Sequence, residues 1–80
     1  MTRYIATFHT HLAALRSSRS LTSAGIAAQM TPVPRKLSSS CGTCVRYESE
    51  TAALELLDAD AEAVYEDADG KYALVRNFEA

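Results

Sequence analysis

The chain has 80 residues, which is the size of one small domain, so residues 1–80 are expected to form a single unit. Apolar residues make up 48% and charged residues 22% of the chain, a balance that excludes a wholly disordered, collagenous or coiled-coil protein. The net charge of −2 hides an asymmetry: residues 1–47 carry six basic and no acidic side chains, and residues 48–80 carry ten acidic and two basic ones. Six dispersed basic charges are too few to indicate binding to nucleic acid.

The lack of a recognisable membrane span or secretory signal, together with the cysteine usage, favours a cytoplasmic protein. No stretch approaches the roughly 18 apolar residues of a membrane span, and the first residues lack the apolar core of a secretory signal. We therefore expect no membrane partner. Thiols are kept reduced in the cytoplasm, so two cysteines three positions apart, Cys41 and Cys44, indicate redox chemistry or metal binding rather than a structural disulfide.

Patterns in the first third of the chain predict a strand, a helix and a second strand. Alternating side chains over residues 4–9 predict the first strand, apolar on at least one face. Thr10 is a suitable N-cap for the helix that follows, and Gly25 is placed to end it. The residues on one stripe at helical spacing are His11, Ala14, Leu15, Ser18 and Leu21. Residues 26–31 are predicted to form a second strand, which Pro32 ends because proline cannot donate to a strand ladder.

The middle of the chain is predicted to contain a long loop and a third strand. Residues 32–43 are rich in proline, serine and glycine, a composition typical of loops. A loop this long in so small a domain indicates a functional segment. Alternation over residues 45–48 predicts the third strand.

The last third predicts a second helix and a hairpin. We expect the helix to begin at Ser49 or Glu50. Its apolar stripe consists of Ala53, Leu54, Leu57 and Ala61. Residues 61–66 and 71–78 are predicted to pair as a hairpin with Gly70 in the turn.

The predicted order of elements, β-α-β-β-α-β and one added strand, indicates an α+β ferredoxin-like plait with an extra C-terminal hairpin strand. With right-handed crossovers and strand one beside strand three, strands one and two run in the same direction. The end of the first strand, the N-terminus of the first helix and the long loop would then share one edge of the sheet. His9 and His11 are therefore expected to lie close to Cys41 and Cys44.

A thiol at that edge would need help to act as a nucleophile, because only a few per cent of a free cysteine with a pKa near 8.5 is ionised at neutral pH. Positive groups lower such a pKa, and hydroxyls and backbone amides hold anions. Gly42 also lets the backbone turn tightly between the two sulfurs. The residues expected to bind an anion or substrate beside Cys41 and Cys44 are Arg35, Lys36, Ser40, Gly42, His9 and His11.

The Cys-Gly-Thr-Cys motif is also compatible with two other classes of protein, which are alternative interpretations of this sequence. A thioredoxin-type oxidoreductase has its motif after an early strand and at the start of a helix, whereas this motif lies mid-chain and runs into a predicted strand. A structural or interaction module would instead use Cys41, Cys44, His9 and His11 as a Cys2His2 zinc site. The His-x-His pair does not have the usual spacing of a zinc finger.

Three strings of the sequence resemble the selenium/sulfur (Se/S) carrier protein-like family of small domains. They are residues 4–11, 24–26 and, above all, 30–44, where Pro-Val-Pro-Arg is followed by serines and Cys-Gly. The resemblance covers nearly the whole chain and implies that the cysteine before glycine, Cys41, is the carrier residue. Many members lack a second cysteine at the position of Cys44.

The resemblance and the residues together predict a carrier of sulfane sulfur or selenium rather than an autonomous enzyme. Cys41 would hold the atom as a persulfide or perselenide, and Cys44 would resolve it. Such a protein needs no cofactor, and its partners would be a donor of persulfide or selenide and an acceptor enzyme. The alternatives are the zinc-bound structural module and a thiol-disulfide partner subunit of a larger enzyme.

Overall fold

A sheet of five strands with an α-helix packed on one face forms the core of the protein. The computed structural model describes residues 1–79. The elements are β1 (Thr2–Phe8), α1 (His11–Ser23), β2 (Ala28–Pro32), β3 (Thr43–Ser49), a 3-10 turn (Leu54–Leu56), β4 (Ala61–Ala68) and β5 (Lys71–Asn77). The predicted α+β class is confirmed. Within residues 1–79, no helix is long and apolar enough to cross a membrane.

The strands lie in the order β2-β3-β1-β4-β5, and every neighbouring pair is antiparallel. Strand β3 therefore lies between β1 and β2, and these two strands run in the same direction, as the sequence predicts. The segment that joins β2 to β3 consequently begins and ends at the edge of the sheet where β1 ends. This placement puts the long loop beside the start of α1.

The helix α1 begins where it was predicted, because Thr10 caps it. The side-chain oxygen of Thr10 accepts a hydrogen bond from the backbone N–H of Ala13, at 3.1 Å. The buried side of the helix differs in part from the predicted stripe, since His11 is exposed. The buried residues are Ala13, Ala14, Ser17 and Leu21. Three of these are small, which allows the helix to lie close to the sheet.

The predicted second helix is absent from the described structure, and this part of the prediction was wrong. Local bonds from side chain to backbone compete with the helix, because Thr51 Oγ1 accepts from the N–H of Ala53 and Asp58 Oδ1 accepts from that of Asp60. Ala53 takes a left-handed backbone conformation, with φ at 50°, which confines helical structure to one 3-10 turn. With one helix instead of two, the ferredoxin-like plait is not confirmed.

The predicted hairpin of β4 and β5 is present, and β4 extends two residues beyond its predicted end. Asp69 and Gly70 both have positive φ, 54° and 85°, which is the requirement of the two-residue turn that suits the twist of a hairpin. The N–H of Gly70 also donates to the side chain of Asp67, at 2.9 Å. Strand β5 is the extra C-terminal strand that the sequence predicts.

The loop of residues 33–42 covers the sheet face opposite α1. Ile5 and Thr7 alternate along β1 with the residues of the helix-side core, so they point to the opposite face, yet they are only 0% and 1% exposed. The segment between β3 and β4 packs on the helix side and cannot cover them. Lys36 Nζ donates to the carbonyl of Gly70, at 3.2 Å, near the far end of the sheet. The loop is therefore a packed part of the fold.

Candidate functional site

Cys41 lies in the loop just before β3 and is partly buried. Its side chain packs against the helix-side core, and its thiol donates to the carbonyl of Thr43, at 3.5 Å. Ser39 Oγ lies 3.8 Å from the same sulfur. Gly42 has φ at +73°, and its carbonyl accepts from the N–H of Val33, at 3.1 Å, which closes the base of the loop. The loop thus holds this thiol near the surface in a defined conformation.

Cys44 occupies a different environment, because it is the second residue of β3 and is fully buried. It pairs in register with Thr7 on one side and Thr31 on the other, which places it on the face that the loop covers. Burial raises the pKa of the Cys44 thiol, and the hydrogen bond of 3.2 Å to Thr31 and the charge of Arg46 offset only part of that effect.

The sequence predicts that the whole Cys-Gly-Thr-Cys motif lies in a loop, and this prediction was wrong. Cys41 lies in the loop, and Cys44 lies in β3. The two sulfurs are free and are not joined in a disulfide. Because side chains alternate along a strand, Cys44 lies on the sheet face opposite the helix-side core. Cys41, in contrast, contacts the helix-side core. The two thiols therefore have different neighbours.

His11 is the first residue of α1 and lies beside the loop. Its Nδ1 is 3.4 Å from Oγ1 of Thr43, the residue whose carbonyl accepts from the Cys41 thiol. His11 and Cys41 therefore contact the same residue without contacting each other in the hydrogen-bond network.

His9 approaches the loop from the other side, through Glu62. Its Nδ1 lies 3.4 Å from Glu62 Oε2, and its Nε2 lies 2.7 Å from Glu79 Oε1. Glu62 in turn accepts from both the N–H and the hydroxyl of Ser40. Partial burial alone would raise the pKa of Glu62, but the two hydrogen bonds from Ser40, the nearby hydroxyl of Ser39 and the nearby His9 outweigh it, so the pKa is lowered.

The predicted cationic groups of the loop are less concentrated around Cys41 than the sequence suggests. Arg35 is exposed, and Lys36 extends to the hairpin turn rather than to the sulfur. Arg46 is directed to the face of Cys44, where its side chain donates to Thr31 and to Asp67. The charge of Arg46 therefore acts on Cys44.

Metal-binding groups do not collect around the cysteines. Among residues 1–79, the cluster of histidine, cysteine and carboxylate ligand atoms that could hold an ion is His9, Glu62 and Glu79, whose ligand atoms lie within 4.8 Å of one another. In the structure these atoms already pair with one another as described above. The predicted Cys2His2 set does not converge, because Cys44 faces the opposite side of the sheet.

Neither of the two grooves described for this structure is lined by Cys41. A groove of about 370 Å³ and a second of about 500 Å³ occur at the other end of the sheet, where β1 begins. The first is lined by Arg3, Gln29 and Asp67, among others, and the second by Met1 and its neighbours.

Sequence patterns did not identify Glu62, which contacts Ser40 beside Cys41, or Thr43, which contacts Cys41 itself. Glu62 is one of ten acidic residues, and it lies in the acidic stretch of residues 55–69, whose pattern is typical of a solvated surface. Its role depends on the pairing of β1 with β4, which no local pattern encodes. The serine-rich stretch before Cys41 was the one available signal, and it pointed to Ser40.

The fold and the site define a small α+β protein that presents a single partly buried thiol on a packed loop. The family model described as "Putative Se/S carrier protein-like" matches residues 3–66, and the chain belongs to that family. The matched segment runs from β1 into β4 and includes both cysteines. Comparisons with curated proteins and with solved structures gave no match.

Proposed function

We propose that this protein carries sulfane sulfur or selenium on Cys41 between two partner proteins in a reducing compartment. The observation that carries the proposal is the difference between the two cysteines. Cys41 is partly exposed in the loop before β3, whereas Cys44 is fully buried within β3. A donor protein can therefore reach Cys41 alone, and family membership supports a carrier role for it.

Loading requires one exchange at sulfur. The Cys41 thiolate attacks the outer sulfur of the donor's persulfide, the S–S bond of the donor breaks, and the donor leaves as a thiolate that takes up the proton released from Cys41. Cys41 then holds the atom as Cys41-S-S⁻. A perselenide donor reacts in the same way and leaves Cys41-S-Se⁻. An acceptor thiolate removes the outer atom by the reverse exchange.

The groups beside the loop would stabilise the terminal anion. His11 lies near enough to contact Thr43, the residue whose carbonyl accepts from the Cys41 thiol. Arg35 is exposed and free to turn toward a bound partner or the adduct. Charge-assisted hydrogen bonds of this kind are stronger than neutral ones.

Cys44 would act as a resolving thiol only after the loop opens. Its thiolate would attack the inner sulfur of the protonated adduct Cys41-S-SH, form the Cys41–Cys44 disulfide and release HS⁻, and a dithiol reductant would then be needed to reset the protein. Because burial raises the pKa of Cys44, this step is slow in the closed structure. Burial of Cys44 thus favours transfer of the intact atom over its release.

The intact mass and metal content of protein purified without added reductant test the proposal against its alternatives. We expect reduced protein, alone or with one added sulfur or selenium on Cys41, and no stoichiometric metal. One zinc per chain that is lost with unfolding on chelation would instead identify the structural zinc module. A mass lower by two hydrogens, with the disulfide mapped to Cys41 and Cys44, would identify the thiol-disulfide partner.

A further inference from the structure

We propose that Glu62 is a positioning residue that fixes the conformation of the Cys41 loop through Ser40. The inference rests on the proposed function in one respect, that Cys41 is the residue that carries the atom. It assigns a role at that site to a residue of β4, which lies outside the loop that contains Cys41.

An irregularity in the sheet directs Glu62 toward the loop. Phe8 of β1 pairs with Ala61, and Thr7 pairs with Ala63, so Glu62 is left without a partner in the β1–β4 ladder. A bulge of this kind re-aims the side chain of the extra residue and is common next to functional sites. The carbonyl of Glu62 accepts instead from the N–H of Phe78, at 2.9 Å, and its side chain turns to the loop.

Both carboxylate oxygens of Glu62 hold the residue that precedes Cys41. Oε1 accepts from the backbone N–H of Ser40 at 3.1 Å, and Oε2 accepts from the hydroxyl of Ser40 at 2.7 Å. Two bonds to one residue fix its orientation as well as its position, and bonds to an ionised acceptor are the stronger kind. The Glu62 side chain is only 15% exposed, so water competes weakly for these bonds.

A second bond ties the loop down one residue earlier. The hydroxyl of Ser39 donates to the carbonyl of Phe8 at 2.8 Å, where β1 ends. The two residues before Cys41 are therefore bound to β1 and to β4, on either side of the same ladder. With the base of the loop closed at Gly42, the backbone is held on both sides of the thiol.

The charge of Glu62 is offset where it would otherwise oppose a thiolate. The groups that face its carboxylate are the N–H and hydroxyl of Ser40 and the ring of His9, with Glu79 on the far side of that ring. The hydrogen bonds from Ser40 and the contact with His9 stabilise the negative charge of the Glu62 carboxylate. Glu62 can consequently order the loop without strongly disfavouring an anion on Cys41.

An ordered loop matters for transfer between proteins. A donor persulfide must meet the sulfur of Cys41 in line, and a loop that already holds that geometry does not need to be ordered during the encounter. A small alkylating reagent has no such requirement. Loss of Glu62 should therefore slow transfer from a protein donor without slowing a small reagent.

The test compares Glu62→Ala and Glu62→Gln with wild type, with Glu66→Gln as the matched control, since Glu66 is an exposed glutamate on the same strand. Amide hydrogen exchange at Ser40 and Cys41 should accelerate about tenfold in Glu62→Ala, because two hydrogen bonds to the loop are lost. Iodoacetamide should label Cys41 at the wild-type rate or faster. Persulfide transfer from a cysteine desulfurase should slow by a similar factor of about ten.

Ser40→Ala keeps the test valid if Glu62→Ala does not fold, since it removes only the hydroxyl bond and should give a smaller effect in the same direction. Exchange and transfer that match wild type in all three site variants would overturn the inference. If wild type accepts no sulfur at all, the proposed function fails, and the exchange and labelling rates still decide whether Glu62 positions the loop.

Discussion

Cys41 and Cys44 are three residues apart in the chain, yet their side chains lie on opposite sides of the sheet. Cys41 contacts the helix-side core, and Cys44 pairs with Thr7 and Thr31 on the face that the loop of residues 33–42 covers. The two thiols therefore differ in access, and burial raises the pKa of Cys44, although their spacing alone would suggest a cooperating pair.

Cys41 should be the first thiol to be alkylated in the native protein. Cys44 is buried and its pKa is raised, so both access and ionisation are against it. Iodoacetamide labelling over a range of pH, followed by peptide mapping, measures both rates, and unfolded protein serves as the control in which they should converge. Faster labelling of Cys44 would remove the basis for assigning Cys41 as the nucleophile.

The stability of the protein should decline in mildly alkaline solution because of Cys44. A thiol whose pKa is raised on folding contributes stability that is complete below its unfolded pKa, near 8.5, and is lost as the pH rises toward its folded value. Cys44→Ala should remove this decline and should cost about 1–2 kcal/mol at neutral pH through the small cavity and the lost bond to Thr31.

Urea unfolding between pH 7 and pH 9.5 measures this decline. Burial also raises the pKa of Tyr47, but that group affects stability only above its unfolded pKa of about 10. A decline below pH 9.5 that persists in Cys44→Ala would show that Cys44 is not its source.

Acid should weaken the protein through Glu62. The pKa of Glu62 is lowered in the folded state, so its contribution to stability is present above the unfolded value of about 4.3 and is lost as the pH falls through the folded value. The difference in the free energy of unfolding between wild type and Glu62→Gln should therefore shrink between pH 5 and pH 3. Glu66→Gln, on the same strand, should show no comparable trend.

How far the sequence predicts this structure can be judged from particular residues. Alternation over residues 4–9, the cap at Thr10 and the composition of residues 32–43 predicted β1, the start of α1 and a loop between β2 and β3 correctly. The apolar spacing from Ala53 to Ala61 predicted a helix, but apolar residues in an irregular segment can bury the same surface, and a left-handed Ala53 decides the conformation.

The candidate site was predictable only where it depends on local sequence. Cys41 could be identified from the motif, whereas the burial of Cys44 depends on a loop that folds back over the sheet. The contact of Glu62 with Ser40 depends on a bulge in the pairing of β1 and β4, and it joins residues 22 positions apart. Tertiary register of this kind has no periodic signature in one sequence.

Thr10, which lies between His9 and His11, should contribute measurably to the stability of the protein because its side chain caps α1. Thr10→Ala removes the acceptor for the N–H of Ala13 and should destabilise the protein by about 1 kcal/mol, whereas Thr10→Ser should retain most of that energy. Thermal or urea unfolding of the two variants measures the difference. Equal stability of Thr10→Ala and wild type would mean that the cap is not used in solution.

Transfer of one sulfur atom from a cysteine desulfurase to Cys41 is the most direct measure of the central claim. Incubation with the desulfurase and cysteine should add one sulfur to wild type, as seen by intact mass and peptide mapping, and dithiothreitol should remove it. Cys44→Ser should be loaded equally well, and its adduct should last at least as long because no second thiol can displace it. Loading that is retained in Cys41→Ser, or loading that is absent from wild type and from Cys44→Ser alike, would contradict the account.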